Sequence, residues 1–296
     1  MRIVSLVPHA TELLFALGLG EQVVGVTHEC DHPTEASGLP HVTRDVLPPG
    51  LSSAEIDREV RERTERGEAI YALDEQAVRK LEPDLIVTQE LCPVCAVSYD
   101  EVQGLAKKLP SCPKVVALDP KTFGETLGDV KTVAELTKAN AAAKQLVLDI
   151  RARVDAVRKA VAGRPPVPVV AIEWFDPVFV AGHWTPQLIE YAGGIDMIGL
   201  AGEHSEQRQW EDVIDAQPEV VVAMPCGYDA QTAYREAEMH ASELAATGAK
   251  RVVAVDGGAY FSRPGPRLVE GLELLAHILH PDLFPDAPAA ALDVPI

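Results

Sequence analysis

Short runs of β-branched and apolar residues alternate along the chain with stretches whose apolar positions follow helical spacing. Residues 2–6, 23–27, 84–88 and 114–118 read as strands in the first half. Residues 11–19 read as a helix capped by Thr11 and stopped at Gly18 and Gly20. The second half repeats the order, with strands at 167–172, 219–224 and 251–255 and helices at 186–192 and 210–216. Strand and helix in alternation predict parallel sheets with crossover helices, an α/β fold.

The two halves also align residue by residue. Leu81-Glu82-Pro83-Asp84-Leu85-Ile86-Val87 matches Ala216-Gln217-Pro218-Glu219-Val220-Val221-Val222 at an offset of 135. Lys114-Val115-Val116-Ala117-Leu118-Asp119 matches Arg251-Val252-Val253-Ala254-Val255-Asp256 at an offset of 137. Nearly equal offsets point to a duplication and to two Rossmann-like lobes.

Residues 123–163 lie between the halves and contain no proline; Leu127, Val130, Val133, Ala134, Leu146, Val147, Ile150, Val154 and Val157 keep helical spacing. A helix of that length spans about 60 Å. The expected organisation is an N-terminal α/β lobe over 1–122, one long rigid connecting helix over 123–163 and a C-terminal α/β lobe over 164–296, with a ligand cleft between the lobes. Residues 45–71 stand outside the repeat. Ser52 or Ser53 caps a helix rich in Glu and Arg there, which is either a solvated helix with internal ion pairs or a flap or docking element beside the cleft.

The 296 residues, 47% hydrophobic and 24% charged, suit one large or two ordinary domains. A formal charge of -19 excludes nucleic acid as the natural partner, since phosphate binding needs a basic face. No apolar run approaches a membrane span, so the chain is not membrane-embedded. Met1 and Arg2 lead straight into a short strand rather than a secretory h-region, which predicts a cytoplasmic protein, with a periplasmic or extracellular one as the alternative if the start is trimmed.

In open parallel sheets a ligand sits beyond the carboxyl ends of the strands. Those positions carry Pro8 and His9, then His28 and Cys30, then Glu90, Cys92 and Cys95 in the first half. In the second half they carry Trp174, Phe175 and Asp176, with Trp184 nearby, then Tyr228, then Tyr260, Phe261, Ser262 and Arg263. A flat macrocycle needs broad apolar walls with few polar contacts, and the aromatic cluster fits that demand. Arg263 suits amide or carboxylate groups at a ligand's rim, or serves as a helix cap.

Cys92-Pro93-Val94-Cys95 alone reads as a zinc half-site, a redox pair or two unrelated thiols. With His28 and Cys30 it makes a possible metal set, His28, Cys30, Cys92 and Cys95, of the closed Cys3His zinc type. The same groups also suit a thiolate or imidazole contact to cobalt, or a wall of small soft side chains.

The segments Arg2-Ile3-Val4-Ser5-Leu6-Val7-Pro8-His9-Ala10-Thr11-Glu12 and Leu81-Glu82-Pro83-Asp84-Leu85-Ile86-Val87, with Gly182, Trp184 and Gly193-Gly194, carry a family resemblance. In this order the chain resembles the substrate-binding proteins of vitamin B12 and iron-siderophore ABC importers. His28-Glu29-Cys30-Asp31-His32-Pro33, residues 90–99 and Trp174-Phe175-Asp176-Pro177 resemble its cobalamin-binding branch, among homologues without a signal peptide. The resemblance implies non-catalytic binding of cobalamin, another corrinoid or a related tetrapyrrole, by a solute-binding, carrier or sensor protein. An ABC permease is the partner it implies, against which the missing export signal counts. No GxSxG, P-loop, GxGxxG or HExxH occurs, so the chain is not read as an enzyme. The alternatives are a metal-dependent enzyme using the Cys/His cluster and an iron-siderophore or haem binder.

Overall fold

A computed structural model describes residues 1–90 and 97–296. Cys92 and Cys95, and with them the CxxC reading, lie outside the described residues. The chain divides into two compact units. The first comprises Met1–Pro120 and Leu127–Val147, the second Lys121–Thr126 and Leu148–Ile296.

In the first unit β1 (Ile3–Ser5), β2 (Val23–Gly25), β5 (Leu85–Thr88) and β6 (Lys114–Ala117) form a sheet in the order β2-β1-β5-β6. Every pairing in it is parallel, so all four carboxyl ends open on one edge. β3 (Thr43–Asp45) and β4 (Tyr71–Leu73) form a separate antiparallel ribbon. Helix α1 (Pro8–Ala16) begins three residues before the expected Thr11 cap. Pro8 occupies its first turn, where no amide hydrogen is needed, and Thr11 is buried inside the helix. The charged stretch between β3 and β4 is α2 (Ser53–Glu65), opened by a capping box between Ser52 and Glu55. Its Asp57–Arg61 and Glu59–Arg63 pairs follow i,i+4 spacing. α3 (Glu75–Leu81), capped by the Asp74 carboxylate, and α4 (Tyr99–Ala106) flank β5 in sequence.

The connecting segment is two helices, not one. α5 (Phe123–Thr137) and α6 (Asn140–Val161) are separated at Lys138, whose φ of 62° lies in the left-handed region and ends the hydrogen-bond ladder. Val130, Val133, Ala134 and Ala143 join the core of the first unit. Farther along α6, Arg153 makes a bidentate pair with Glu273 of the second unit at 2.8 and 2.6 Å.

The second unit is built on β7 (Val167–Phe175), β8 (Val178–Val180), β9 (Gly194–Asp196), β10 (Glu206–Gln207), β11 (Val220–Ala223), β12 (Arg251–Val255) and β13 (Ala291–Val294). Its strand order is β10-β8-β7-β11-β12-β13, with β9 beside the start of β7. The core pairings β9–β7, β7–β11 and β11–β12 are parallel. The expected parallel sheet is corrected at its margins, where β8, β10 and β13 run antiparallel. β8 returns through the tight turn at Asp176 and Pro177, which leaves no room for a crossover helix. The remaining helices are α7 (Thr185–Tyr191), α8 (Trp210–Asp215), α9 (Ala230–Met239), α10 (Ala241–Ala246), α11 (Gly257–Tyr260) and α12 (Leu268–Leu279).

The duplication is visible in register. Leu85 pairs with Lys114 in the first sheet, and their aligned counterparts Val220 and Arg251 pair in the second. The runs Leu85–Thr88 and Val220–Ala223 are buried throughout, as strands with both faces covered must be.

Candidate functional site

The turn after β2 sets the first carboxyl edge. Thr27 holds it twice: its carbonyl accepts from Cys30 N at 3.2 Å and its hydroxyl from Glu29 N at 3.2 Å. Cys30 thereby points inward. Its sulfur lies 3.1 Å from the Thr11 hydroxyl and 3.3 Å from that of Thr27, within the apolar core. His28 and Glu29 remain partly exposed. Thr43 of β3 accepts from the His28 backbone amide at 3.2 Å and bonds its Nδ1 at 2.8 Å. Tyr71 of β4 donates to Glu29 Oε1 at 2.7 Å, and its ring centre lies 5.1 Å from that of His28. Leu6, Thr27, His28, Glu29, Thr43, Tyr71 and Val97 line a recess of about 180 Å³ open to solvent. On the same edge the Glu90 amide donates to the Asp119 carboxylate.

Pro8, in the first turn of α1, is partly exposed, whereas His9 is buried. Of the expected metal set only His28 and Cys30 are among the described residues. Cys30 spends its sulfur on two threonines in the core. Among the described residues no three His, Cys, Asp or Glu side chains are grouped to hold a metal ion.

In the second unit three strand-end loops are stitched in order. Cys226 N donates to the Glu173 carbonyl at 3.0 Å, and Gly258 N to the Tyr228 carbonyl at 3.2 Å. A Cβ on Gly257 would stand 2.4 Å from the Pro225 carbonyl oxygen, so only glycine permits that approach. This brings Trp174 and Tyr228 together: their ring centres are 5.4 Å apart at 52°, and both rings are partly exposed. The Trp174 indole donates to the Asp176 carbonyl at 3.2 Å, and Asp176 itself is exposed. Tyr260 ends α11 and Ser262 and Arg263 follow it; all three are partly exposed, with the Arg267 guanidinium 5.6 Å above the Tyr260 ring.

Three members of the expected aromatic wall are core residues. Phe175 is fully buried and stacks on His240 at 5.2 Å. Trp184 is 5% exposed and donates its indole hydrogen to the carbonyl of Phe261, itself 1% exposed, at 2.7 Å. Phe175 follows Trp174 on an extended strand, so the two rings fall on opposite faces and only one reaches solvent.

Glu173 precedes Trp174 in β7 and His183 precedes Trp184, and each titratable side chain has a partner from residues 204–205. Ser205 donates to the Glu173 carboxylate at 2.5 Å. Although Glu173 as a residue keeps some exposure, burial of its carboxyl pushes the pKa up to about 7, opposed by the Ser205 bond and aided by Asp196. His183, at φ 51°, faces His204 with ring nitrogens 3.1 Å apart. Burial, then the neighbouring His204 and Lys121, pulls its pKa down to about 4. Of the residues that sequence reading missed, Thr43 and Tyr71 lie on three-residue strands and Ser205 in the loop before β10, all too short to leave a periodic signal.

The chain matches the family described as periplasmic binding protein over residues 3–257. It is 26% identical to an uncharacterized ABC transporter substrate-binding lipoprotein, YvrC, of Bacillus subtilis, across 96% of this chain and 81% of that one. It is 22% identical to the vitamin B12-binding protein of Vibrio cholerae, across 92% and 86%. The solved periplasmic heme binding protein of Pseudomonas aeruginosa shares the fold, with a TM-score of 0.70, 20% identity and coverage of 99% and 95%. These relatives, described as a lipoprotein and a periplasmic protein, lend no support to the expected cytoplasmic location. No helix among the described residues is long and apolar enough to cross a membrane. The chain belongs to the periplasmic binding protein family and binds a solute rather than catalysing a reaction.

Proposed function

We propose that this protein binds a metal-bearing tetrapyrrole, cobalamin or another corrinoid, at the carboxyl edges of its sheets. The observation that carries the reading is the Trp174–Tyr228 pair, two partly exposed rings 5.4 Å apart at the strand ends of the second unit. Two partly exposed aromatic rings of this kind suit contact with the face or edge of a macrocycle, and the exposed Asp176 beside them suits peripheral amides. A relative that is a vitamin B12-binding protein supports the same class. His28 supplies the imidazole suited to axial contact with cobalt. In this role the protein works as the solute-binding component of an ABC importer, outside the cytoplasm, and cell fractionation tests that location.

Haem is the second reading. The juxtaposition of His28 and Tyr71, both residue types that ligate haem iron, favours it, as does the heme-binding relative of the same fold. Titration with aquocobalamin, cobinamide and haemin, followed by visible spectra and gel filtration, separates the two. Retention of red corrinoid at one per chain is the expected result. Retention of haemin alone selects the second reading, and retention of none overturns both.

A further inference from the structure

The ribbon β3–β4, with α2 between its strands, lies outside the duplicated pattern, yet it reaches the first carboxyl edge at two points. The pairings Thr43↔Leu73 and Asp45↔Tyr71 put Thr43 and Tyr71 on one face of the ribbon. The ribbon is fastened to the end of β2 by Val26 N donating to the Pro40 carbonyl at 3.0 Å and Val42 N to the Val26 carbonyl at 2.9 Å. Two residues beyond Val26 stands His28. The Thr43 hydroxyl, itself buried, meets this one histidine twice, at its amide and at Nδ1. Tyr71 packs on the imidazole while its hydroxyl holds Glu29.

We propose that Thr43 and Tyr71 are positioning residues for His28, fixing its ring so that Nε2 is the nitrogen offered to the metal of a bound tetrapyrrole. The proposal rests on the tetrapyrrole reading above. A ligating imidazole must present a lone pair, and the partner of its other nitrogen decides which nitrogen carries it. In the proposed arrangement Nδ1–H donates to the Thr43 oxygen, the tautomer that leaves the ring's lone pair on Nε2. The Tyr71 ring bars the imidazole from turning away, and the Tyr71–Glu29 bond keeps that ring in place. The shallow recess lined by His28, Thr43 and Tyr71 opens to solvent at this spot and is far too small for a macrocycle, which leaves the macrocycle itself outside it. The inserted segment thus acts as the clamp of the axial base.

The full chain is tested with aquocobalamin and haemin, and with metal-free protoporphyrin as the control. Thr43→Val should weaken binding of the metal-bearing ligand about tenfold, the usual scale for losing the partner of a ligating histidine. Its visible spectrum should move toward that of His28→Ala. Thr43→Ser should restore both, Tyr71→Phe should weaken binding less than Tyr71→Ala because it keeps the ring but loses the Glu29 bond, and Tyr71→Ala should follow Thr43→Val. Binding of metal-free protoporphyrin should change in none of them, which a merely structural role would not predict. Circular dichroism and melting check the fold, with Thr43→Ala replacing the valine variant if that one fails to fold. If His28→Ala moves the spectrum while Thr43→Val and Tyr71→Ala do not, the positioning role is overturned and tetrapyrrole binding stands. If His28→Ala itself leaves the spectrum unchanged, the proposal falls with His28. Wild-type protein that binds none of the three overturns the underlying reading instead.

Discussion

Cys30 turns its sulfur to the Thr11 hydroxyl at 3.1 Å, so a residue that the strand-end rule assigns to the ligand face belongs to the core. Buried thiols of this kind are inert. Peptide mapping after treatment with a thiol reagent should find Cys30 unlabelled in the native protein and labelled in denaturant. Fast native labelling would return it to the ligand face. Cys30→Ala should cost about 1–2 kcal/mol, from the small cavity and the weakened Thr11 and Thr27 contacts.

Glu173 makes stability depend on pH. Its folded pKa of about 7 lies above the ordinary 4.5. The stabilisation this represents is therefore fully present below 4.5 and is lost as pH rises through 7. Glu173→Gln keeps an acceptor for Ser205 without the charge. Denaturation curves should show the variant gaining on the wild type by about 2 kcal/mol between pH 4 and pH 8, a figure reduced for the partial exposure of the residue. A constant difference across that range would refute the buried acid.

His183 has the opposite sign. Its folded pKa of about 4 lies below the ordinary 6.5, so its contribution is present above 6.5 and is lost as pH falls through 4. Its ring signals in NMR should titrate near 4. A midpoint near 6.5 would mean that the imidazole is solvated and does not face His204.

Trp174 and Phe175 should separate binding from folding. Trp174→Ala should lower affinity for the retained tetrapyrrole at least about tenfold, with little change in melting temperature. Phe175→Ala should instead cost about 3–5 kcal/mol of stability, because it empties a fully buried site between Trp210 and His240. Equal effects of the two on affinity would deny the one-sided wall.

The architecture was legible from periodicity. The repeat that aligns Leu85 with Val220 and Lys114 with Arg251 reappears as the same strand pairing in both units. The capping box at Ser52 and Glu55 was equally plain, because it is local in sequence. The site was legible only in part. Position after a strand located Trp174, Tyr228 and His28, but gave no hint of which neighbour each would meet. The break at Lys138 was hidden, since lysine rarely adopts the left-handed conformation and the apolar spacing continues past it.

By itself, then, the order of apolar and polar residues determined the α/β alternation, the duplication and which residues follow the carboxyl ends of the strands. These follow from local rules of period, capping and strand polarity. The tertiary structure alone decided that Cys30 faces Thr11, that Phe175 is core while Trp174 is surface, and that Tyr71 reaches Glu29 from 42 positions away. Those contacts depend on how a turn orients single side chains and on a ribbon inserted between repeats, and neither leaves a periodic trace in the chain.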